Sequence, residues 1–293
     1  MSEYEEYVQE YEEMLDYEAN TPLLCKYIDT FLRFSKTASE HQDTRVLLYR
    51  GQPDKGFTLM PSVFRKELLH KEHTLIHELL LKVPEGFSSN PFERLIKMQH
   101  YGLPTRLMDF STNPLIALYF ACLANSDKDG EIVVLYDYLE RYDSREVLTI
   151  ATMSEYQGAK IKDMVEFLAD KNIQYRLEPI SERSPELEKV LGRLYIPVAA
   201  PLNNERIKRQ HGVLVLFGIC GKESENIYQK TAFDLKSSVI MDVGDGIERS
   251  IIIPKEEKNQ LLWELDAIGI NESFLFPELE HQATYIKQKF EGV

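Results

Sequence analysis

The feature that most constrains the fold is a set of short apolar runs that lie far apart along the chain. HGVLVLFGIC (211–220) is rich in Val, Leu and Phe and is bounded by glycine, which is typical of a buried strand. EIVVLY (131–136) and RSIIIP (249–254) have the same character, and RVLLYRGQ (45–52) resembles a strand that ends in a turn. The separation of these strands predicts one sheet within a single domain.

Helical patterns lie between the strands without a regular rhythm. Residues 91–101 and 113–124 each begin near an Asn-Pro pair, which favours a helix start, and Thr21-Pro22 has the same signature. Further helices are predicted at 72–82, 158–172, 185–194, 255–268 and 278–291. The chain contains neither GxGxxG nor GxxxxGK[ST], so a Rossmann or P-loop fold is not indicated. We therefore expect an α+β domain whose mixed or antiparallel sheet is flanked by helices.

The charge and the cysteines restrict the classes of partner. The net charge of −14 argues against binding to nucleic acid, which usually needs a basic surface, although one or two arginines suffice for a small anionic ligand. The apolar runs are too short to span a bilayer. The three cysteines are scattered and no segment resembles a secretion signal, so we expect a cytoplasmic protein with reduced thiols.

The first twenty residues carry eight acidic residues and no basic one. Tyr4, Tyr7, Tyr11 and Leu15 recur at helical spacing, which predicts an amphipathic helix. Such a helix could pack on the body of the protein, the interpretation we favour, or form an arm that binds a protein partner. We divide the chain into an acidic N-terminal helical arm (1–40) and a main domain with C-terminal helices (41–293).

Polar residues are concentrated in QHYGLPTRLMDFSTNPLIALYFA (99–121), directly beside an apolar helix. Asn113 or a neighbouring hydroxyl can cap that helix, and Asp109 can pair with Arg106 or another arginine. Caps and turns of this kind account for roughly half of the polar side chains. The remainder predicts a ligand-binding corner.

Metal and hydrolase sites are poorly supported by the sequence. Two Gln-His pairs, Gln99-His100 and Gln210-His211, could be combined with Asp109 as ligands of a metal-dependent hydrolase. The chain lacks HxH and HExxH spacings, and the charged neighbours of His73 and His77, which are four residues apart, favour a solvated helix face, so we expect no metal. It also lacks a GxSxG elbow, which argues against a serine hydrolase.

Five segments, taken in order, resemble the FRG-domain family. They are LLYRGQ, LMPSVFR, the 99–121 stretch, ERIKRQHGVLVLFG and LDAIGINESFLFPELEHQA, and together they extend from about residue 45 to 285. The Phe-Arg-Gly motif of the family corresponds to Tyr49-Arg50-Gly51, in which the aromatic ring is kept. The resemblance implies a bacterial context such as phage defence.

A weaker resemblance links the chain to ADP-ribosyltransferases of the Arg–Ser–Glu type. It implies that Arg50 holds the phosphates of NAD, that Ser111 and Thr112 shape the base pocket, and that Gln210 contacts the ribose. Gln210 stands where that family places a Glu, and an uncharged amide cannot stabilise positive charge on the ribose. Asp109 or Glu205 would have to take that role.

The resemblances therefore imply an ADP-ribosyltransferase-like domain that binds NAD or a related nucleotide and transfers ADP-ribose or hydrolyses the glycosidic bond. The expected catalytic residues are Arg50, Asp109, Ser111 and Gln210. The expected nucleotide-binding residues are Tyr49, Gly51, Gln52, His100, Thr105, Arg106, Thr112 and His211. The acceptor is open. The alternative is a binding module without catalysis, which would hold a nucleotide, a nucleic acid or a protein in the same groove.

Overall fold

The fold is built around one mixed, open sheet of seven strands in an α+β arrangement. A computed structural model describes residues 21–41, 43–124, 126–158, 160–173, 184–201, 205–219, 230–238 and 250–291. The strands are β1 (Val46–Gln52), β2 (Leu107–Ser111), β3 (Gly130–Asp137), β4 (Glu140–Arg141), β5 (Tyr195–Ala199), β6 (Gly212–Phe217) and β7 (Ser250–Ile253). Their order is β4-β5-β6-β2-β1-β3-β7, and the pairs are antiparallel except for β4 with β5. The predicted α+β class and mixed sheet are confirmed.

Helices in the described residues lie between and after these strands. They are α1 (Leu23–Glu40), α2 (Glu72–Lys82), α3 (Pro91–His100), α4 (Pro114–Cys122), α5 (Arg145–Met153), α6 (Ile161–Asp170), α7 (Pro185–Leu191), α8 (Glu205–Arg209), α9 (Leu235–Ser238), α10 (Lys258–Ala267), α11 (Glu272–Leu275) and α12 (Leu279–Glu291). Two 3-10 turns occupy Ser62–Phe64 and Leu68–Lys71. Among these helices, none combines the length and the apolar character that crossing a membrane requires.

Two separate groups of helices cover one face of the sheet. Tyr49 and Ser111 are directly paired, so their side chains share a face with the alternate residues Leu107 and Leu214. On the β1 side this face packs against α1, α4 and α10, and on the β6 side it packs against α2, α3 and α5–α7. The boundary between the two groups runs over β1 and β2. The other face, which includes Leu48 and Phe110, packs against the 3-10 turns and Leu235.

Helix α4 approaches the sheet closely because glycine lies beneath it. A Cβ added at Gly51 would overlap the carbonyl oxygen of Ala117 and lie 2.6 Å from the main-chain nitrogen of Ala121. A Cβ at Gly130, on the neighbouring strand, would overlap the Ala121 carbonyl. The strand glycines and the helix alanines therefore let the two backbones touch. This contact explains the glycine of the Tyr49-Arg50-Gly51 motif.

The first described helix is part of the core. Leu24, Tyr27, Phe31 and Phe34 of α1 are buried against the layer that contains α4 and α10. Glu264 of α10 accepts hydrogen bonds from the main-chain nitrogens at the start of α1. The second half of the predicted 1–40 arm thus packs on the sheet layer, whereas the acidic residues 1–20 lie outside the described residues.

Most element predictions agree with the structure to within a few residues. β1, β3, β6 and β7 coincide with the strands predicted above, and β2 coincides with the short extended stretch that the sequence favours at 106–110, between two predicted helices. The elements that the sequence did not predict are β4, β5, α5, α8, α9 and α11. Pro197 lies in the middle of β5, and a proline normally argues against a strand. β5 tolerates it because β4 covers only two residues of that edge, opposite Val198 and Ala199.

Candidate functional site

The centre of the sheet opens between β1 and β2. β1 pairs with β3 along all seven residues and β2 pairs with β6 along all five. β1 and β2, in contrast, share only the pair Tyr49 and Ser111. Continuing this register would place Gly51 opposite Asp109, but the strands do not pair there. The ladder between β1 and β2 is therefore limited to one pair, although each strand is paired along its whole length with its other neighbour.

The Arg50 side chain bridges β1 and β2 where their main chains do not pair. Its Nη1 donates to the main-chain carbonyl of Asp109 at 2.5 Å. Its Nε is buried and has no hydrogen-bond partner among the described residues. Burial lowers the pKa of the Arg50 guanidinium, while the Asp109 carboxylate counteracts that shift. An arginine remains protonated throughout this range, so Arg50 brings a positive charge to the centre of the sheet.

A cavity of about 170 Å³ lies over the gap, and we call it the Arg50 cavity. Its lining comes from β1, β2, α4 and the end of α8. The lining residues are Tyr49, Arg50, Gly51, Asp109, Phe110, Ser111, Ile116, Ala117, Phe120, Arg206 and Gln210. All four predicted catalytic residues, Arg50, Asp109, Ser111 and Gln210, therefore lie around one cavity, together with Tyr49 and Gly51.

Asp109 is exposed although it lies in the middle of the sheet. Its side chain projects from β2 at the boundary between the two groups of helices, where neither group covers it. The side-chain amide of Gln99 donates to its carboxylate at 3.0 Å, and the Thr105 hydroxyl donates to the Gln99 carbonyl at 2.9 Å. Thr105 thus orients the Gln99 amide, and Gln99 holds the Asp109 carboxylate toward the cavity.

Ser111 and Gln210 are bound to the main chain. The Ser111 hydroxyl donates to the Gln210 carbonyl at 2.7 Å and accepts from the Asn113 main-chain nitrogen at 3.0 Å. The Gln210 amide donates to the Leu275 carbonyl at 3.1 Å. These bonds join β2, α8 and α11, so both residues shape the wall of the cavity.

Two further cavities continue the Arg50 cavity into a groove. A middle cavity of about 190 Å³ shares Asp109, Arg206 and Gln210 with it and also contacts His100. An outer cavity of about 520 Å³ shares His100 with the middle cavity. The outer lining is Gly86, Ser88, Glu93, Ile96, Lys97, His100, Tyr101, Pro201, Pro277 and Glu278. The groove thus runs from the positive gap in the sheet to the segment before α12.

Arg106 lies away from the groove, in a buried ion pair. Its side chain is fully buried, and its guanidinium binds Glu72 with two nitrogens and the carbonyls of Phe217 and Gly218 at 3.1 and 2.8 Å. Lys230 also binds Glu72, at 3.0 Å. Burial raises the pKa of Glu72, but the two cations outweigh it and the net pKa is lowered. Arg106 therefore joins the ends of β2 and β6 to α2 and does not contact a ligand in the groove.

Four other predicted nucleotide-binding residues do not line the three cavities either. Gln52 is buried against Glu131, and Thr105 acts through Gln99. Thr112 donates to the His211 carbonyl, and His211 adopts a φ of 46° in the turn before β6. His100, in contrast, lines the middle and outer cavities. Glu205 pairs with Lys208 at 2.6 Å and lines none of the three.

Several residues of the site were missed in the sequence. Arg206 lines two of the cavities, and its guanidinium lies 4.8 Å from the ring centre of Phe276. Its signal is the basic segment ERIKRQHG, in which Glu205, Gln210 and His211 are singled out from the sequence but Arg206 is not. Ile116 and Phe120 line the Arg50 cavity from α4, where their apolar character indicated only core. Across the described ranges, no three His, Cys, Asp or Glu side chains are grouped so that they could hold a metal ion.

Comparisons with known proteins agree with the principal resemblance. The family model of the FRG domain matches residues 45–130, the segment that contains β1, β2 and α4. No curated protein and no solved structure matches the chain. These results give no support to the resemblance to ADP-ribosyltransferases. The similarity to the FRG domain therefore covers the residues that supply most of the lining of the Arg50 cavity.

Proposed function

We propose that this chain binds NAD or a related nucleotide in the groove, with a phosphate at Arg50. The observation that supports this proposal most directly is the position of Arg50, a cation in a gap of the sheet, beside a cavity that also contacts Arg206. Bound nucleotides carry their negative charge on phosphates, and guanidinium groups bind phosphate through paired hydrogen bonds. The groove is long enough to extend beyond a single phosphate, because three cavities adjoin.

We further propose that Asp109 takes part in a reaction that either transfers ADP-ribose to an acceptor or hydrolyses the glycosidic bond with water. Breaking the bond between ribose C1′ and the nicotinamide nitrogen leaves the electron pair on nicotinamide and positive charge on the ribose. A carboxylate beside the ribose stabilises that charge. Asp109 is the carboxylate that lines the Arg50 cavity, and Gln99 holds it in place. Asp109 therefore takes the role that an amide at Gln210 cannot take.

The second candidate is binding without catalysis. It is favoured by the hydrogen bonds of Ser111 and Gln210, which are directed to main-chain atoms of the protein. In this alternative the groove recognises a nucleotide and leaves it intact. The phage-defence context and the cytoplasmic location stay predictions.

Calorimetric titration of the full chain with NAD, combined with a chromatographic assay for released nicotinamide, tests both candidates. We expect Arg50→Ala to weaken NAD binding by roughly tenfold to a hundredfold, since a hydrogen bond to a charged group contributes about 1.5–3 kcal/mol. Asp109→Asn should keep binding and lose nicotinamide release. Arg141→Ala is the control, because that side chain is 81% exposed and, within the part of the chain that the structure describes, its ion pair is with the neighbouring Asp143.

Three outcomes are distinct. Binding with nicotinamide release supports the transferase or hydrolase, and binding without release supports the module. If the unaltered chain fails to bind NAD, or if Arg50→Ala binds it equally well, the proposal is wrong.

A further inference from the structure

Glu278 occupies a fixed position at the outer end of the groove. It directly precedes α12, and its main-chain carbonyl accepts from the Gln282 nitrogen at 3.1 Å. The Gln282 side chain donates to the carbonyls of Ser273 and Phe276, at 2.7 Å each. The main chain and the side chain of Gln282 therefore hold the turn, and none of these bonds uses the Glu278 carboxylate.

The carboxylate of Glu278 has unused capacity for hydrogen bonding. Its Oε1 lies 4.0 Å from Nη1 of Arg206, which is the outer limit of an ion pair. Its Oε2 is buried and has no hydrogen-bond partner among the described residues. An unpaired buried carboxylate oxygen is unfavourable. Glu278 lines the outer cavity, and because the terminal torsion of Glu is broad, the carboxylate can rotate to present an oxygen to a ligand there.

Arg206 connects this carboxylate to the phosphate end of the groove. It lines the Arg50 cavity and the middle cavity, and its guanidinium forms the long ion pair with Glu278. A phosphate that binds between Arg50 and Arg206 would direct the attached sugar along the groove toward Glu278. The hydroxyls of a ribose are donors, and a carboxylate that accepts from a ribose hydroxyl is a recurrent way to recognise nucleotides.

We propose that Glu278 binds the ribose hydroxyls of the nucleotide and makes the groove selective for nucleotides that carry these hydroxyls over dideoxynucleotides. This inference rests on the proposed function and names the chemical group that the outer cavity recognises. Glu278 is a specificity residue in this proposal, since it contacts the sugar and takes no part in breaking a bond.

Calorimetric titration with ADP and with 2′,3′-dideoxy-ADP tests the inference on the full chain. We expect the dissociation constant of ADP from the unaltered chain to be lower than that of the dideoxy compound by roughly tenfold or more, because the ribose hydroxyls donate to a charged acceptor. Glu278→Gln should lower ADP affinity and reduce the preference to about twofold or less, with little change for dideoxy-ADP. Glu280→Gln is the matched control, since Glu280 lies two residues away with an exposed side chain. It should keep the full preference.

The outcomes separate this inference from the proposed function. If NAD binds in an Arg50-dependent manner but the ribose preference is absent, or persists in Glu278→Gln, the role of Glu278 is wrong and the proposed function stands. If the unaltered chain binds neither NAD nor ADP, both are wrong. Thermal unfolding of each variant shows whether a lost preference merely reflects a lost fold.

Discussion

Replacing Gly51 by Ala places a methyl group where helix α4 already touches strand β1. The new Cβ would overlap the carbonyl oxygen of Ala117 and lie 2.6 Å from the nitrogen of Ala121. Both are main-chain atoms of a helix that is buried along most of its length, so neither can move alone. Overpacking of a core usually costs about 1–3 kcal/mol. Because the obstacle here is backbone, we expect a loss of about 3 kcal/mol in the free energy of unfolding.

Urea denaturation followed by circular dichroism measures this loss. Gly56→Ala is the control, because its new Cβ would meet only the side-chain oxygen of Asp54, at 3.1 Å, which can move aside. The control should lose well under about 1 kcal/mol. Gly51→Ala should also weaken NAD binding, since Ile116, Ala117 and Phe120 of α4 line the Arg50 cavity. A loss below about 1 kcal/mol for Gly51→Ala would refute the close contact between α4 and β1.

Three further predictions concern stability and thiol chemistry. Arg106→Met should cost about 3–5 kcal/mol in urea denaturation, because it leaves Glu72 buried without its main partner, whereas Arg141→Met should cost almost nothing. The pKa of Glu72 in the folded protein lies below its ordinary value of 4.5, so its ionised form stabilises the fold above pH 4.5, and this stabilisation is lost as the pH falls through the folded pKa. Glu72→Gln should therefore show a smaller loss of stability in acid, measured as the urea midpoint from pH 7 to 3. Burial, only partly offset by Lys258, raises the pKa of the Cys122 thiol to about 12. In a variant with Cys25 and Cys220 replaced by Ser, Cys122 should therefore resist Ellman's reagent at pH 8 until urea unfolds the protein. Rapid reaction of the folded variant would contradict this prediction.

Local sequence patterns predicted much of the fold because its strands are short, apolar and bounded by turn residues. Asn113 illustrates this, since its side chain accepts from the Leu115 nitrogen and caps α4 as the Asn-Pro signature predicts. The strand order could not be predicted in this way. It depends on pairs such as β2 with β6, whose residues are about a hundred positions apart.

The site was predicted in part. Arg50, Asp109, Ser111 and Gln210 lie around one cavity, but that grouping came from a family resemblance and not from their spacing. Arg106 shows the limit of local reasoning. Its partner is Glu72, 34 residues earlier, and no local pattern distinguishes an arginine in a buried ion pair from one that binds a ligand. Glu278 was missed for the same reason, because only the tertiary fold brings it next to Arg206.

A crystal structure of the chain with bound NAD tests the central claim most directly. We expect the diphosphate in the gap between β1 and β2, with a phosphate oxygen within hydrogen-bond distance of the Arg50 guanidinium and a ribose beside Asp109. NAD bound elsewhere on the protein, with the Arg50 cavity empty, would contradict the claim that this gap in the sheet is the ligand site.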